Sequence, residues 1–473
     1  MTTELQCCAA ANVSQPLEAG PAREIYDALN VHEPGDEALA AGANYLRERL
    51  EEAGRLACDL PPALDGLAAW MERRHDEVGG QYLAYLQARK AGAPRRYFSC
   101  RAHALYFLQG VAPTKMVDGA WLYGLLPRWR DERFRGLIRT YLEELGEGRA
   151  HANHVAMYRK LLAVSGCEHG SPAGDGHYVQ GAIQLCLAYG CRDFLPEVVG
   201  FNLGYEQLPL HLLITTYELA ELGLDSYYFQ VHLTVDNAGT GHARKAVEAV
   251  RAACPAMGGS QDYYQRVRRG YLLNELGLGT VSVIQSFDLQ AEIERILRDK
   301  SRHGRHMHSD YCKVAGRTVN DWLSEPGGMA DFLQALQRQG WIKRHADPSE
   351  SRFWRLLQGE RAEMFGVFSR YELQVIHDWI AGERAGEPAA RAAQAVPLRL
   401  RARLAGGSST VVGAEPGADE QDEDVRLLKR NAMEAATVQD AMALLAGMMA
   451  PAVHYTPAGM MATRMFARLM DAS

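Results

Sequence analysis

The sequence predicts an all-α protein: a helical bundle with an N-terminal helical layer and C-terminal docking helices. Three observations carry that expectation. Helix-forming Leu, Ala, Glu, Arg and Met dominate the chain. Alternating β-branched runs bounded by turns are nearly absent. Apolar residues recur at helical spacing, with charge pairs four residues apart. At 473 residues the chain can bury at least one large core, and the usual domain scale suggests two or three units.

Residues 1–20 read as a disordered lead without the basic start and sustained apolar stretch of a signal peptide. Residues 21–95 form an N-terminal helical layer: "DEALAAGANYLRERLEEAGRLACDL" and "LDGLAAWMERRHDEVGGQYLAYLQARK" are amphipathic and separated by "PP". Residues 96–300 read as a bundle of long helices near 120–145, 151–166, 176–190, 196–222, 225–253 and 260–300. The breaks carry turn chemistry, such as "GEGR", "GCEHGSPAGDG" and "CPAMGGS". Residues 301–382 are a helical extension. Residues 383–424, rich in Ala, Pro, Gly and Ser and then acidic, read as a flexible linker. Residues 425–473 resume helical spacing and hold eight of the sixteen methionines, as expected of helices docking into a groove.

The formal charge of −7 is spread along the chain, with 51 Lys and Arg against 58 Asp and Glu, so no global field favours nucleic acid. No apolar run reaches 18 residues, so no transmembrane helix is expected and the protein reads as cytoplasmic. The cysteines, at 7, 8, 58, 100, 167, 186, 191, 254 and 312, lack any CxxC spacing, which argues against a disulfide framework or a zinc ribbon.

The stretch "YYFQVHLTVDNAGTGHARK" places two histidines and an aspartate in an apolar run. On one helix His232 and Asp236 are i,i+4 neighbours and face one way. His242 lies about 240° around from Asp236, so it joins them only if the backbone is overwound or bulged near Gly239 and Gly241. Upstream, "YLEELGEGRAHANHVAMYRKLL" offers Glu144 and His154 on either side of Gly146 and Gly148, which break the helix. Glu147 and His151, in the same break, are their rivals, and Glu218 is expected to face solvent or to pair locally. Glu206, before Pro209, sits in apolar surroundings where an isolated carboxylate would cost several kcal/mol, so a cation is expected beside it. Asp118 invites the same argument, with helix capping before Gly119 as the alternative. Oxygen and imidazole donors without thiolates, drawn from several helices, suit a carboxylate-bridged pair of iron or manganese ions.

The run "EELGEGRAHANHVAMY", then "GYEQ", then "HLTVDNAGTGHA" resembles the haem-oxygenase-like diiron oxidase and oxygenase family, often labelled iron-containing redox enzymes. The likeness runs from about residue 96 to 300. It implies a haem-oxygenase-like bundle holding two iron ions, Fe2+ with manganese as the alternative. The implied ligands are Asp118, Glu144, His154, Glu206, His232, Asp236 and His242. Asp118 stands where many members have Glu, and the gap from Asp236 to His242 is six residues where many members have three.

The resemblance further implies O2-dependent oxidation of an amino acid, amine or fatty acid. The reading adopted is N-oxygenation or oxidative cleavage of an amino acid or amine in a specialised biosynthetic pathway. The sequence has no GxGxxG fingerprint or four-cysteine iron–sulfur spacing, so an external electron donor is expected. A homodimer is left open. Two other classes stand beside this one: a cofactor-free or haem-handling enzyme on the same fold, and a non-catalytic helical scaffold that binds a partner. Lys115 and the arginines at 302 and 305 are candidates to hold an acidic substrate. His303, His306 and His308, near Cys312, read as a basic helix face that could line a substrate channel.

Overall fold

Proline and glycine cut the long helices expected from periodicity into shorter ones. The computed structural model describes residues 20–168, 174–235, 241–256, 258–358, 362–386 and 422–472. The N-terminal layer is α1 (Pro21–Leu29), α2 (Asp36–Ala53) and α3 (Leu67–Lys90). The bundle begins with α4 (Arg101–Gly110) and the single turn α5 (Ala112–Lys115). The expected helix over 120–145 is a 3₁₀ stretch, Ala120–Arg128, containing Pro127, and then α6 (Glu132–Glu144), whose first turn is capped by Asp131. Next come α7 (His154–Ser165) and α8 (Val179–Gly190). Pro209 divides the expected 196–222 helix into α9 (Leu195–Tyr205) and α10 (Leu210–Glu221).

The segment over 225–253 is also two helices, α11 (Tyr227–Val235) and α12 (His242–Ala252), the second starting after Gly241. Thus His242 opens a new helix and does not lie on a bulged continuation of the one bearing His232. The run over 260–300 becomes α13 (Ser260–Leu272), α14 (Thr280–Gln285) and α15 (Leu289–Gly304). The extension adds α16 (Val319–Leu323), α17 (Met329–Arg338), α18 (Arg352–Leu357) and α19 (Arg370–Ala381). It also holds an unexpected two-residue hairpin, β1 (Lys313–Val314) against β2 (Arg317–Thr318), turning through Ala315 and Gly316 at positive φ. The C-terminal helices are α20 (Glu423–Glu434), α21 (Val438–Met448) and α22 (Pro457–Asp471), each started by a side-chain cap from Asp422, Thr437 or Thr456.

The apolar faces pack into two cores. One joins α1, α2, α6, α8, α9, α12 and α13, and includes Trp121, Tyr141, Ile183 and Val267. The C-terminal helices contribute Met442, Met449, Phe466 and Met470 to this same core, which is the groove-filling role expected of a Met-rich segment. The other joins α4, α7, α11, α14, α15, α17 and α19 around Phe107, Tyr158, Ile296 and Ile376. Helix α9 crosses α13 very closely: a Cβ on Gly200 would stand 1.9 Å from the Val267 carbonyl oxygen. Among the described residues no helix is long and apolar enough to cross a membrane.

Candidate metal centre

Six of the seven predicted ligands meet where helices of the two cores face each other. The seventh, Asp236, lies outside the described residues. Glu144 ends α6, His154 opens α7, Glu206 follows α9, His232 sits in α11 and His242 opens α12. Asp118 occupies the turn between α5 and the 3₁₀ stretch, where its side chain caps no helix. The chain turns sharply between Glu144 and His154 through Gly146, Glu147 and Gly148, at φ of 60°, 50° and 76°. This left-handed run reverses the chain, so that two ligands ten residues apart point into one space. Glu147 and His151, on the outside of the same loop, are exposed and take no part.

The donor atoms form two adjoining groups. Asp118, Glu144, His154 and His232 each bring a ligand atom within 4.8 Å of one another, and so do Glu144, Glu206 and His242. Glu144 belongs to both. Its Oε2 is 2.5 Å from His154 Nδ1, and its Oε1 is 3.6 Å from His242 Nδ1. Asp118 Oδ2 stands 3.3 Å from His232 Nε2 and 3.7 Å from His154 Nδ1, and Glu206 Oε2 is 3.2 Å from His242 Nδ1. All six side chains are buried.

The imidazoles are oriented for lone-pair donation. His232 Nδ1 is 2.9 Å from the Tyr228 carbonyl, to which it donates, leaving Nε2 to face Asp118. His242 donates from Nε2 to Glu143 at 2.6 Å and turns Nδ1 inward. Glu143 is further held by Lys245 at 2.8 Å. A carboxylate or carbonyl behind each ring is the usual support of a metal-binding histidine. His154 Nδ1 makes no aligned hydrogen bond, although Glu144 Oε2 lies so near. A buried imidazole nitrogen pressed so close to a buried carboxylate without good alignment fits a site built for a cation.

The electrostatics agree. Burial pushes the Asp118 carboxyl up, but Lys115, His154 and His232 outweigh it and hold it well below the usual carboxylate range. Burial also raises Glu144, and His154 more than offsets this. Burial lowers the His154 imidazole, yet Glu144 and Asp118 raise it to about 10, so a proton there stands in for missing positive charge. Around Asp118 the Tyr228 hydroxyl donates to Oδ2 at 2.5 Å and the Tyr205 hydroxyl to Oδ1 at 2.8 Å. Burial and then Asp118 push both phenols well above their ordinary value. Lys115 Nζ donates to Tyr205 at 2.9 Å and lies 3.8 Å from Asp118 Oδ1.

A cavity of about 410 Å3 reaches Glu144, Glu206 and His232. Phe107, Val111, Leu212 and Phe229 form apolar walls, while Thr114, Lys115, His211 and Thr215 supply polar groups. Burial pushes the His211 imidazole down to about 4, assisted by Lys115. Of the candidates for an acidic substrate, Lys115 lines this cavity. Arg302, Arg305, His303, His306 and His308 do not line it; they lie on or near the surface at the end of α15 and just beyond it.

Glu218 differs from expectation. It is fully buried and accepts from the backbone N–H groups of Arg96, Tyr97 and Phe98 and from the Tyr85 hydroxyl, pinning the entry to α4. Sequence reasoning missed Glu143, Tyr205, Tyr228 and His454. Glu143 precedes a predicted ligand, and Tyr228 stands four residues before His232 on one helix face, which are the local signals available.

Residues 105–275 match the family described as iron-containing redox enzyme. No curated protein and no solved structure matches the chain. The matched segment contains every predicted ligand, and the match supports an iron-containing oxidoreductase.

Proposed function

Taking an iron-containing redox enzyme with two adjoining donor groups as the premise, we propose that this chain is a non-haem diiron O2-activating oxidoreductase. Its substrate would be an amino acid or amine, taken up in the cavity beside the cluster. One observation carries the reading: Glu144 turns one carboxylate oxygen to each group, the disposition of a bridging ligand. Asp118, His154 and His232 would hold one ion, Glu206 and His242 the other, with Asp236 expected to join them. Two ferrous ions there would supply electrons to O2, for which oxygen and imidazole donors are suited.

The protein's own groups perform the rest. Tyr205 and Tyr228 fix both Asp118 oxygens by donated hydrogen bonds, and Glu143 fixes the ring of His242. Phe107, Val111, Leu212 and Phe229 would give a bound substrate an apolar wall on the side of the cluster. Lys115 offers a cation to a substrate carboxylate, because a metal at Asp118 would take over the charge that Lys115 now balances. An external reductant would restore the centre. Haem handling is disfavoured, since each of the three histidines shares its donor group with carboxylates, whereas a haem iron is held by an axial side chain and needs no carboxylate set.

The test is anaerobic loading with Fe(II), metal analysis and O2 uptake in wild type, Glu144→Ala and His232→Ala. The expectation is about two irons for wild type, near zero for Glu144→Ala and about one for His232→Ala. Wild type without iron, or Glu144→Ala with both, refutes the bridging site and favours the scaffold.

A further inference from the structure

Helices α20 to α22 lie outside the segment that matches the iron-containing family, yet they reach the loop that joins two of the ligands. Asn153, which is fully buried, is the centre of this contact. Its Oδ1 accepts from Ala156 N–H at 2.9 Å and so caps the helix that begins with His154. Its Nδ2 donates to the Leu145 carbonyl, next to Glu144, at 3.3 Å. One side chain therefore ties both ends of the Glu144–His154 loop. The remaining partner of that amide is His454 Nδ1, at 3.1 Å, from the turn between α21 and α22.

Other contacts from the C-terminal segment meet this loop and the end of α6 that leads into it. Arg464 Nη1 donates to the Gly148 carbonyl at 2.5 Å, and Tyr141 donates to the Met449 carbonyl at 2.6 Å. At Gly148 the fit is tight: a Cβ would stand 2.2 Å from the Met460 carbonyl oxygen.

We infer that the C-terminal helices are a working part of the metal centre, with His454 acting through Asn153 as a positioning residue for Glu144 and His154. The argument rests on the metal reading above. An amide can be turned about its axis, and the orientation that caps α7 with oxygen requires acceptors for nitrogen. His454 is one of those acceptors only while neutral, and burial holds its imidazole down at about 3. Without it, a buried donor lacks a partner, and the loop that sets the Glu144 to His154 separation is free to relax.

The test uses full-length protein with Co(II), a spectroscopic stand-in for iron, added anaerobically to wild type, His454→Ala and His454→Asn. His454→Ala is expected to bind Co(II) about tenfold more weakly, with altered visible ligand-field bands. In His454→Asn the side-chain oxygen can accept where Nδ1 did, so both affinity and bands return toward wild type. Unchanged affinity and bands in His454→Ala overturn the inference and leave the metal reading intact. Equal weakness in both variants also overturns it, because bulk and not the acceptor would then matter. Wild type that takes no Co(II) overturns the metal reading itself. Should far-UV circular dichroism show His454→Ala unfolded, Arg464→Met removes the bond to Gly148 while leaving His454 in place; weakened Co(II) binding supports a role of the C-terminal helices in the centre and unchanged binding refutes it.

Discussion

Replacing Glu143 by Gln tests how this centre is tuned from outside its ligand set. The carboxylate accepts from His242 Nε2 at 2.6 Å and from Lys245 at 2.8 Å. Burial alone would raise Glu143, but His242 and then Lys245 bring it down to about 2, so it is an anion throughout the working range. In Glu143→Gln the oxygen still accepts from Nε2, so ring orientation survives while the charge is lost. A charge-assisted hydrogen bond contributes about 1.5–3 kcal/mol and a neutral one about 0.5–1.5. The difference is about 1 to 1.5 kcal/mol, and the Glu143 side chain retains 31% exposure, which favours the lower part of that range. Metal affinity at the His242 ion should therefore fall about five- to tenfold. Glu143→Ala, which leaves Nε2–H without a partner, should lose up to about a hundredfold. Anaerobic metal titration reads both. Wild-type affinity in both variants refutes the carboxylate–imidazole support, and loss of one ion outright in Glu143→Gln would make Glu143 itself a ligand.

Two further outcomes follow from buried groups. Glu218→Gln swaps one of two acceptor oxygens for an amide donor, and in either orientation at least one of the N–H groups of Arg96, Tyr97 and Phe98 loses its acceptor, so unfolding in urea should show a loss of about 1–3 kcal/mol; a change below about 0.5 kcal/mol would contradict the pinning role. Acid should weaken the fold through His454: its folded value, about 3, lies below the unfolded value of about 6.5, so its contribution is complete above that pH and is lost on acidification through the interval between them. At pH 5 this amounts to about 2 kcal/mol. His154, raised to about 10 without metal, acts in the opposite direction, so the effect is read as the difference between wild type and His454→Asn in urea unfolding at pH 7.5 and 5. Equal acid sensitivity in the two proteins refutes it.

The legible part of the site was its local chemistry. Glu206 and Asp118 stand out because a carboxylate in an apolar run needs compensation, and both are buried in the cluster. Gly146 and Gly148 announced a chain reversal, and the left-handed backbone there is what brings Glu144 to His154. Where helical periodicity was extrapolated through Pro209 and Gly241, it failed: breaks at those points put Glu206 and His242 at helix ends. Glu218 was misjudged because its partners, residues 96–98, are about 120 positions away and donate through backbone groups, which carry no side-chain signature.

By itself the sequence determined the helical class, the turn at 146–148 and the donor types, because propensity, glycine conformation and the cost of burying charge act over a few residues. Only the tertiary structure decided that Glu144 is shared by two groups, that Tyr205 and Tyr228 hold Asp118 while Glu143 holds His242, and that His454 reaches Asn153 from 301 residues away. Those relations depend on how helices from two cores meet. Packing of whole faces fixes that meeting, and no spacing along the chain encodes it.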